Sequence, residues 1–330
     1  MSPGAETPAS PIFTPGAAVL GGRYRIRSLI GRGAFGEVYH ATHLELEADR
    51  ALKVLRRDAP GLGSTLFNDF LDRFRLEAKL GSQLNHPNLV RVFDFIQEED
   101  FLVLVLEYAP GGSLAERLAT ARTNGKPFPI EQVLQWGIEF AEGLSAIHAL
   151  DAVHRDLKPS NILFDAKDHA KVADLGLAQV PGGPSLRSLL SEPRPHPGTP
   201  GFMSPEQEHS GAYLSPASDI YSLGLVLFEC LTLRSYKSQR PGTPPSALRA
   251  EVPPWLDELL GRLLAEDPKG RPWNGNEAAA SLKTALVTAQ ESARKTDLPD
   301  SAARQAPSSP AANGGGSRKQ PSKPAAQSPA

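Results

Sequence analysis

Four short blocks, in a fixed order along the chain, constrain its fold more than any other feature. The first is Gly31-Arg32-Gly33-Ala34-Phe35-Gly36, followed by Glu37-Val38. The second is Ala51-Leu52-Lys53, the third His154-Arg155-Asp156-Leu157-Lys158-Pro159-Ser160-Asn161, and the fourth Asp174-Leu175-Gly176. Glycines at 31, 33 and 36 let backbone approach phosphate oxygens without a Cβ in the way. Alone, that run reads equally well as a dinucleotide-binding fingerprint. Here Val38-Tyr39-His40-Ala41 reads as a returning strand rather than a helix. Lys53 then stands on an apolar strand, as an edge lysine facing solvent or as a cation for phosphates. The glycine run before it favours the second reading.

Taken in order, the blocks resemble the signature set of the protein-kinase family. The resemblance covers roughly residues 24–286 and implies an α+β, bilobal fold. A small, mostly β N-lobe (24–108) with one regulatory helix would sit on a larger, mostly α C-lobe (109–286). It implies ATP as phosphoryl donor and Mg2+ as its companion. Ile30, Gly31, Gly33, Gly36, Val38 and Ala51 would cover the nucleotide, and Lys53 would hold its α- and β-phosphates. Leu106 would guard the back of the adenine pocket, with the backbone of Glu107 and Ala109 pairing to the adenine edge and Leu163 as floor. Asp156 would orient the substrate hydroxyl or take its proton, and Lys158 would neutralise the γ-phosphate. Asn161 and Asp174 would hold magnesium, a hard cation that prefers oxygen.

Lys53 needs an anionic orienter. Glu77, in a helical pattern running to Leu84, is the candidate, although Arg75 and Lys79 offer it a local ion pair instead. Four residues on, the family packs an apolar side chain; Gly81 stands there and implies a weakened column between the lobes, with the helix position depending on a partner or on self-association. Leu175 replaces the usual phenylalanine and keeps an apolar plug beside His154. The segment 56–69 reads as a flexible insertion.

The run from Gly198 to Glu206 resembles the end of an activation segment. Thr199 would bond near Asp156 and Lys158, which marks the serine/threonine branch. Glu206 would pair with Arg271, and Asp219 would brace the catalytic loop. Ser204-Pro205-Glu206-Gln207 and Asp219-Ile220-Tyr221-Ser222 are similar to bacterial members of the family. Arg155 implies control by phosphate on the activation segment, where Ser185, Ser188 and Ser191 are the hydroxyls between Asp174 and Gly198. Ser113 and Ser160 stand where arginine-directed relatives carry glutamate, so a preference for upstream arginine is not implied.

The remaining sequence bounds the setting. Residues 1–23 and 287–330 are rich in Pro, Ser, Ala and Gly and read as disordered flanks. Net charge is −2, which gives no basic field for nucleic acid. No stretch reaches the roughly 18 apolar residues of a membrane span, and residues 1–22 lack a secretory pattern. The single cysteine, Cys230, excludes an internal disulfide and reads as a core thiol. The expected setting is therefore cytoplasmic, with ATP and proteins bearing Ser/Thr acceptors as partners and self-association serving trans-autophosphorylation. An ATP-binding scaffold of the same fold is the rival; loss of Lys53, Asp156, Asn161 or Asp174 would favour it, and all four are present. A small-molecule phosphotransferase is a third reading, disfavoured by the intact 198–206 segment and Arg271.

Overall fold

The computed structural model describes residues 11–32, 36–56, 64–98, 100–175, 199–209 and 214–296. The N-terminal part is built on alternating sequence. In β2 (Tyr24–Arg32) Tyr24 and Ile26 are buried while Arg25 and Arg27 are exposed, the period of a half-buried strand. After β1 (Ala18–Val19), β2, β3 (Gly36–His43) and β4 (Ala48–Arg56) form an antiparallel meander. With β5 (Val92–Gln97) and β6 (Phe101–Glu107) they make a six-stranded sheet in the order β1-β2-β3-β4-β6-β5. Leu102, Val103, Leu104 and Val105 are all buried, as the continuous apolar run requires of a strand covered on both faces.

The pleat separates two cores. Tyr39, Ala41, Leu52, Val54, Val103 and Val105 share one face. Leu55, Leu102 and Leu104 share the other and meet Phe74 of helix α1 (Ser64–Gln83). Two expectations are corrected here. Residues 11–23 are not disordered: Phe13 and Leu20 are buried against the first face, and β1 pairs with β2. Averaging composition over the whole leader hides these two anchors. Likewise α1 already begins at Ser64, so 64–69 belong to the helix and not to an insertion; 57–63 lie outside the described residues.

Six residues after β6 lead into the helical lobe. Ser113 and Glu116 form a reciprocal capping box that starts α2 (Leu114–Asn124), and Gly125 ends it at φ +62°. Helix α3 (Ile130–His148) has the bounds its periodicity predicts. The hairpin β7 (Ile162–Phe164) and β8 (Ala170–Val172) follows, then the short α4 (Pro205–Glu208). Helix α5 (Pro216–Thr232) is buried along nearly its whole length, which explains its apolar-rich sequence. Cys230 lies within it, fully buried, and burial pushes its thiol up, as for a core residue. Helices α6 (Pro254–Leu263) and α7 (Gly275–Thr296) close this lobe. Helix α7 continues ten residues past the expected domain end at 286, with Ala289 still buried, because small residues recur on its inner face. Residues 1–10 and 297–330 lie outside the described residues. The architecture is the expected α+β pair of lobes, a β lobe carrying one helix and a larger helical lobe.

Candidate active site

A cleft of about 670 Å³ opens between the lobes. Ile30, Gly31, Val38, Ala51, Leu106 and Glu107 line it from the sheet, Tyr108 and Ala109 from the connection, and Leu163 from β7. Thus nine of the eleven residues expected at the nucleotide, Lys53 and Glu107 included, border one space. Gly33 lies outside the described residues. Gly36 is described but does not line the cleft. Its lack of a side chain has a different cause: a Cβ there would collide with the Val54 carbonyl of β4.

Lys53 projects from the middle of β4, in register with Val38 and Leu104. Its Nζ lies 2.7 Å from Glu77 Oε2 and 3.0 Å from Asp174 Oδ1. Burial disfavours the ammonium, but these two carboxylates outweigh it and hold Lys53 protonated well above the usual lysine range. Glu77 is buried, and Arg75 pairs instead with Asp72 on the exposed side of the helix at 3.9 Å, so the local ion pair considered for Glu77 does not form. Gly81 leaves no gap. Val92 of β5 fills its place so closely that a Cβ would lie 2.9 Å from Val92 Cβ and nearer still to Cγ2. The weakened column expected at Gly81 is therefore a close helix-to-strand approach.

The second cluster surrounds Asp156. Lys158 Nζ donates to Asp156 Oδ2 at 2.6 Å and to Thr199 Oγ1 at 2.8 Å. Thr199 donates its amide and hydroxyl to Asp156 Oδ1 at 3.0 and 2.9 Å. Asn161 Nδ2 donates to the Asp156 backbone oxygen at 2.9 Å and to Oδ2 at 3.2 Å. Both carboxylate oxygens are thereby aimed by fixed donors, the arrangement that a positioned proton acceptor requires. Asn161 and Asp174 also line the cleft. With Nδ2 of Asn161 turned to Asp156, its amide oxygen is the remaining donor atom. One carboxylate and one amide oxygen fit a magnesium ion that takes its other ligands from phosphate and water.

Arg155 and Asp174 sit at φ +71° and +67°, a region costly for side-chain residues. Asp219, at the start of α5, offsets that cost for the first of them. It accepts the amides of His154 and Arg155, each at 2.8 Å, and His148 Nε2 at 2.8 Å. The Gly275 amide donates to His148 Nδ1, so Nε2 carries the proton. Burial pushes the Asp219 carboxyl up, but these bonds prevail and hold it below the usual range. His154 accepts the Asp156 amide at Nδ1, leaving Nε2 to donate to the Ala173 carbonyl beside Asp174. Below the loop, Arg271 grips Glu206 through both nitrogens at 2.7 and 3.0 Å. It also donates to the carbonyls of Ala217, Glu266 and Ala265.

Sequence reasoning missed His148, and it missed Gln207, which donates to the Arg155 carbonyl at 2.8 Å. It also missed Lys171, which bonds Glu107 at 3.0 Å and the Pro87 carbonyl. Their spacing carries no signal, because each acts on a segment distant in sequence. Among the described residues no cluster of three His, Cys, Asp or Glu forms a metal centre, and no helix is long and apolar enough to cross a membrane.

The family model "Protein kinase domain" matches residues 24–278. Among curated proteins, the chain is 34% identical to "Serine/threonine-protein kinase PrkC" of Bacillus subtilis over 280 residues, 81% of this chain and 41% of that protein. It is 32% identical to "Serine/threonine-protein kinase pkn3" of Myxococcus xanthus, over 83% of this chain and 51% of the relative. It is also 32% identical to "Serine/threonine-protein kinase PknE" of Mycobacterium tuberculosis, over 84% and 48%. The chain thus spans about half the length of these relatives. A kinase domain model over most of the chain, on a bilobal fold whose cleft is lined by Lys53, Glu77, Asn161 and Asp174, has one consequence: the chain belongs to the protein kinase family.

Proposed function

We propose that the chain is a protein serine/threonine kinase that transfers the γ-phosphoryl group of ATP to hydroxyls of proteins. The observation that carries this reading is that Lys53, Glu77 and Asp174 line the cleft together with Asn161, which bonds Asp156 and so joins the Asp156–Lys158–Thr199 cluster to it. Lys53 binds phosphate oxygens and Glu77 keeps its ammonium in place. Asn161 and Asp174 would hold Mg2+, which when bound would neutralise phosphate charge. Asp156 orients the acceptor hydroxyl and receives its proton as the new oxygen–phosphorus bond forms and the bond to the ADP oxygen breaks. Lys158 offsets the charge that develops on the transferred group. Thr199 holds Asp156 and Lys158 in register.

Arg155 gives the reading a regulatory side. It is half-buried, its Nε has no partner among the described residues, and burial pushes its guanidinium down to about 10 against the opposing charge of Asp219. Such a site favours an anion, and a phosphoserine at 188 or 191 would supply one; those serines, with Ser185, lie outside the described residues. Self-association would let one copy phosphorylate another. A cytoplasmic setting fits the buried free thiol. The test is incubation of the full chain with ATP and Mg2+: incorporation of phosphate, abolished by Asp156→Asn, is expected. Nucleotide binding without any transfer would favour the scaffold instead.

A further inference from the structure

We propose that residues 11–20 form a strap that fixes the stem of the glycine-rich loop through Glu37 and so sets affinity for ATP. Phe13, Glu37 and Tyr39 would then be positioning residues for the nucleotide. This inference rests on the kinase reading above.

The pleat of β3 divides its side chains. Val38 points into the cleft, while Glu37 and Tyr39 lie on the opposite face of the sheet. Glu37 is a buried carboxylate with no part in the chemistry of the cleft. One of its oxygens accepts the Ile12 amide at 2.8 Å and the Tyr39 hydroxyl. The other meets the Arg32 guanidinium at 2.8 Å. The Tyr39 hydroxyl in turn accepts the Phe13 amide at 2.9 Å. Two successive amides of the strap are therefore spent on two side chains of the loop's returning limb.

The strap has its own anchors. Gly16 donates to the Ile26 carbonyl at 2.8 Å, Ile26 donates back to Ala17 at 3.0 Å, and β1 pairs with β2. The Phe13 ring lies 5.4 Å from Tyr39 and edge-on to Phe101 at 5.1 Å. Ile12 and Phe13 are thus held from both sides, and Glu37 is held by them.

Glu37 and Arg32 are register partners across the stem, immediately inside the pair Gly31 and Val38. Gly31 and Val38 both line the cleft. An ion pair at the stem that is exposed on its arginine side contributes little by itself. Fixed by the Ile12 amide and the Tyr39 hydroxyl, the same carboxylate becomes a rigid post that sets where Gly31 and Val38 meet the nucleotide. Burial pushes the Glu37 carboxyl up, but the surrounding donors hold it below the usual range, consistent with a charged post.

The test measures binding of a fluorescent ATP analogue with Mg2+, ATP KM, kcat and Tm for the full chain and for Phe13→Ala, Phe13→Leu, Glu37→Gln and Tyr39→Phe. Phe13→Ala and Glu37→Gln are expected to weaken nucleotide binding and raise KM about 5- to 20-fold, with kcat changed less than about twofold. Phe13→Leu is expected to restore most of the affinity. Hydrogen exchange in the segment 29–38 should rise in the same order. Tyr39→Phe removes a single oxygen and carries the test if Phe13→Ala fails to fold. Folded variants that lose Tm but keep the wild-type affinity would overturn the strap. A wild-type chain that binds no ATP would instead overturn the kinase reading.

Discussion

Replacing Gly81 by alanine tests whether helix α1 is seated by its contact with Val92. In an exposed helix the change would stabilise by about 1 kcal/mol. Here the added methyl would lie 2.9 Å from Val92 Cβ and closer to Cγ2, where ordinary contact begins near 3.4 Å. Valine is stiff about χ1, so rotation does not clear the overlap. The backbone of α1 must retreat from β5 by about 1 Å to clear Cγ2. Overpacking of this kind costs about 1–3 kcal/mol. Net stability should fall by about 0–2 kcal/mol, or at most about 8 °C in Tm for a domain of this size. The effect on transfer should be larger. Gly81 lies one helical turn beyond Glu77, so the retreat draws Glu77 Oε2 away from Lys53 Nζ, now 2.7 Å apart. A misplacement near 1 Å in such a site costs about 10²-fold, so kcat/KM should drop about 10- to 100-fold. The assay is steady-state phosphorylation with Tm recorded alongside. Gly81→Ala combined with Val92→Ala should recover most of the activity. A single variant with wild-type kcat/KM and a Tm raised by the helical preference alone would refute the argument.

Two further predictions concern the scaffold beneath the loop. Arg271→Met should destabilise the domain by about 3–5 kcal/mol in urea titration, because it strands the Glu206 carboxylate together with three carbonyls; a loss under about 1 kcal/mol would contradict this. Asp219→Asn should lower kcat far more than ATP affinity, since its one remaining oxygen can accept only one of the His154 and Arg155 amides and the other, in a strained loop, then faces an NH2 group. Its stability cost should depend on pH. Asp219 has a folded pKa below the unfolded one, so its contribution is complete above the ordinary aspartate value of about 4 and is lost as pH falls through the folded value. The gap between wild type and variant in thermal melts should therefore narrow on acidification below pH 4; a gap that widens there would contradict the assignment.

Much of this fold was legible because local pattern and global role agree. The bounds of α3 follow from periodicity flanked by Pro129 and the turn after His148. The strand character of 101–107 follows from an apolar run too short for a buried helix. The candidate site was legible because the residues proposed for its chemistry fall mostly in short blocks, and the structure gathers them in two clusters, Lys53 with Glu77 and Asp174, and Asp156 with Lys158, Asn161 and Thr199. What escaped are couplings between distant segments. Phe13 finds Tyr39 and Phe101 from within a leader of unpromising composition. His148 reaches Asp219 across 71 positions. Gly81 looks like a missing side chain until Val92 is placed opposite it. Gly36 shows the reverse case, a residue foreseen for the nucleotide whose small size the β4 backbone demands.

The most direct test of the central claim is phosphate transfer by the purified chain, with acceptor residues located by mass spectrometry after incubation with ATP and Mg2+. The account predicts phosphate on serine or threonine of the chain itself and of a generic protein substrate, and its loss in Asp156→Asn while ATP still binds. Transfer that survives in Asp156→Asn, or a wild-type chain that binds ATP and transfers nothing, would contradict it.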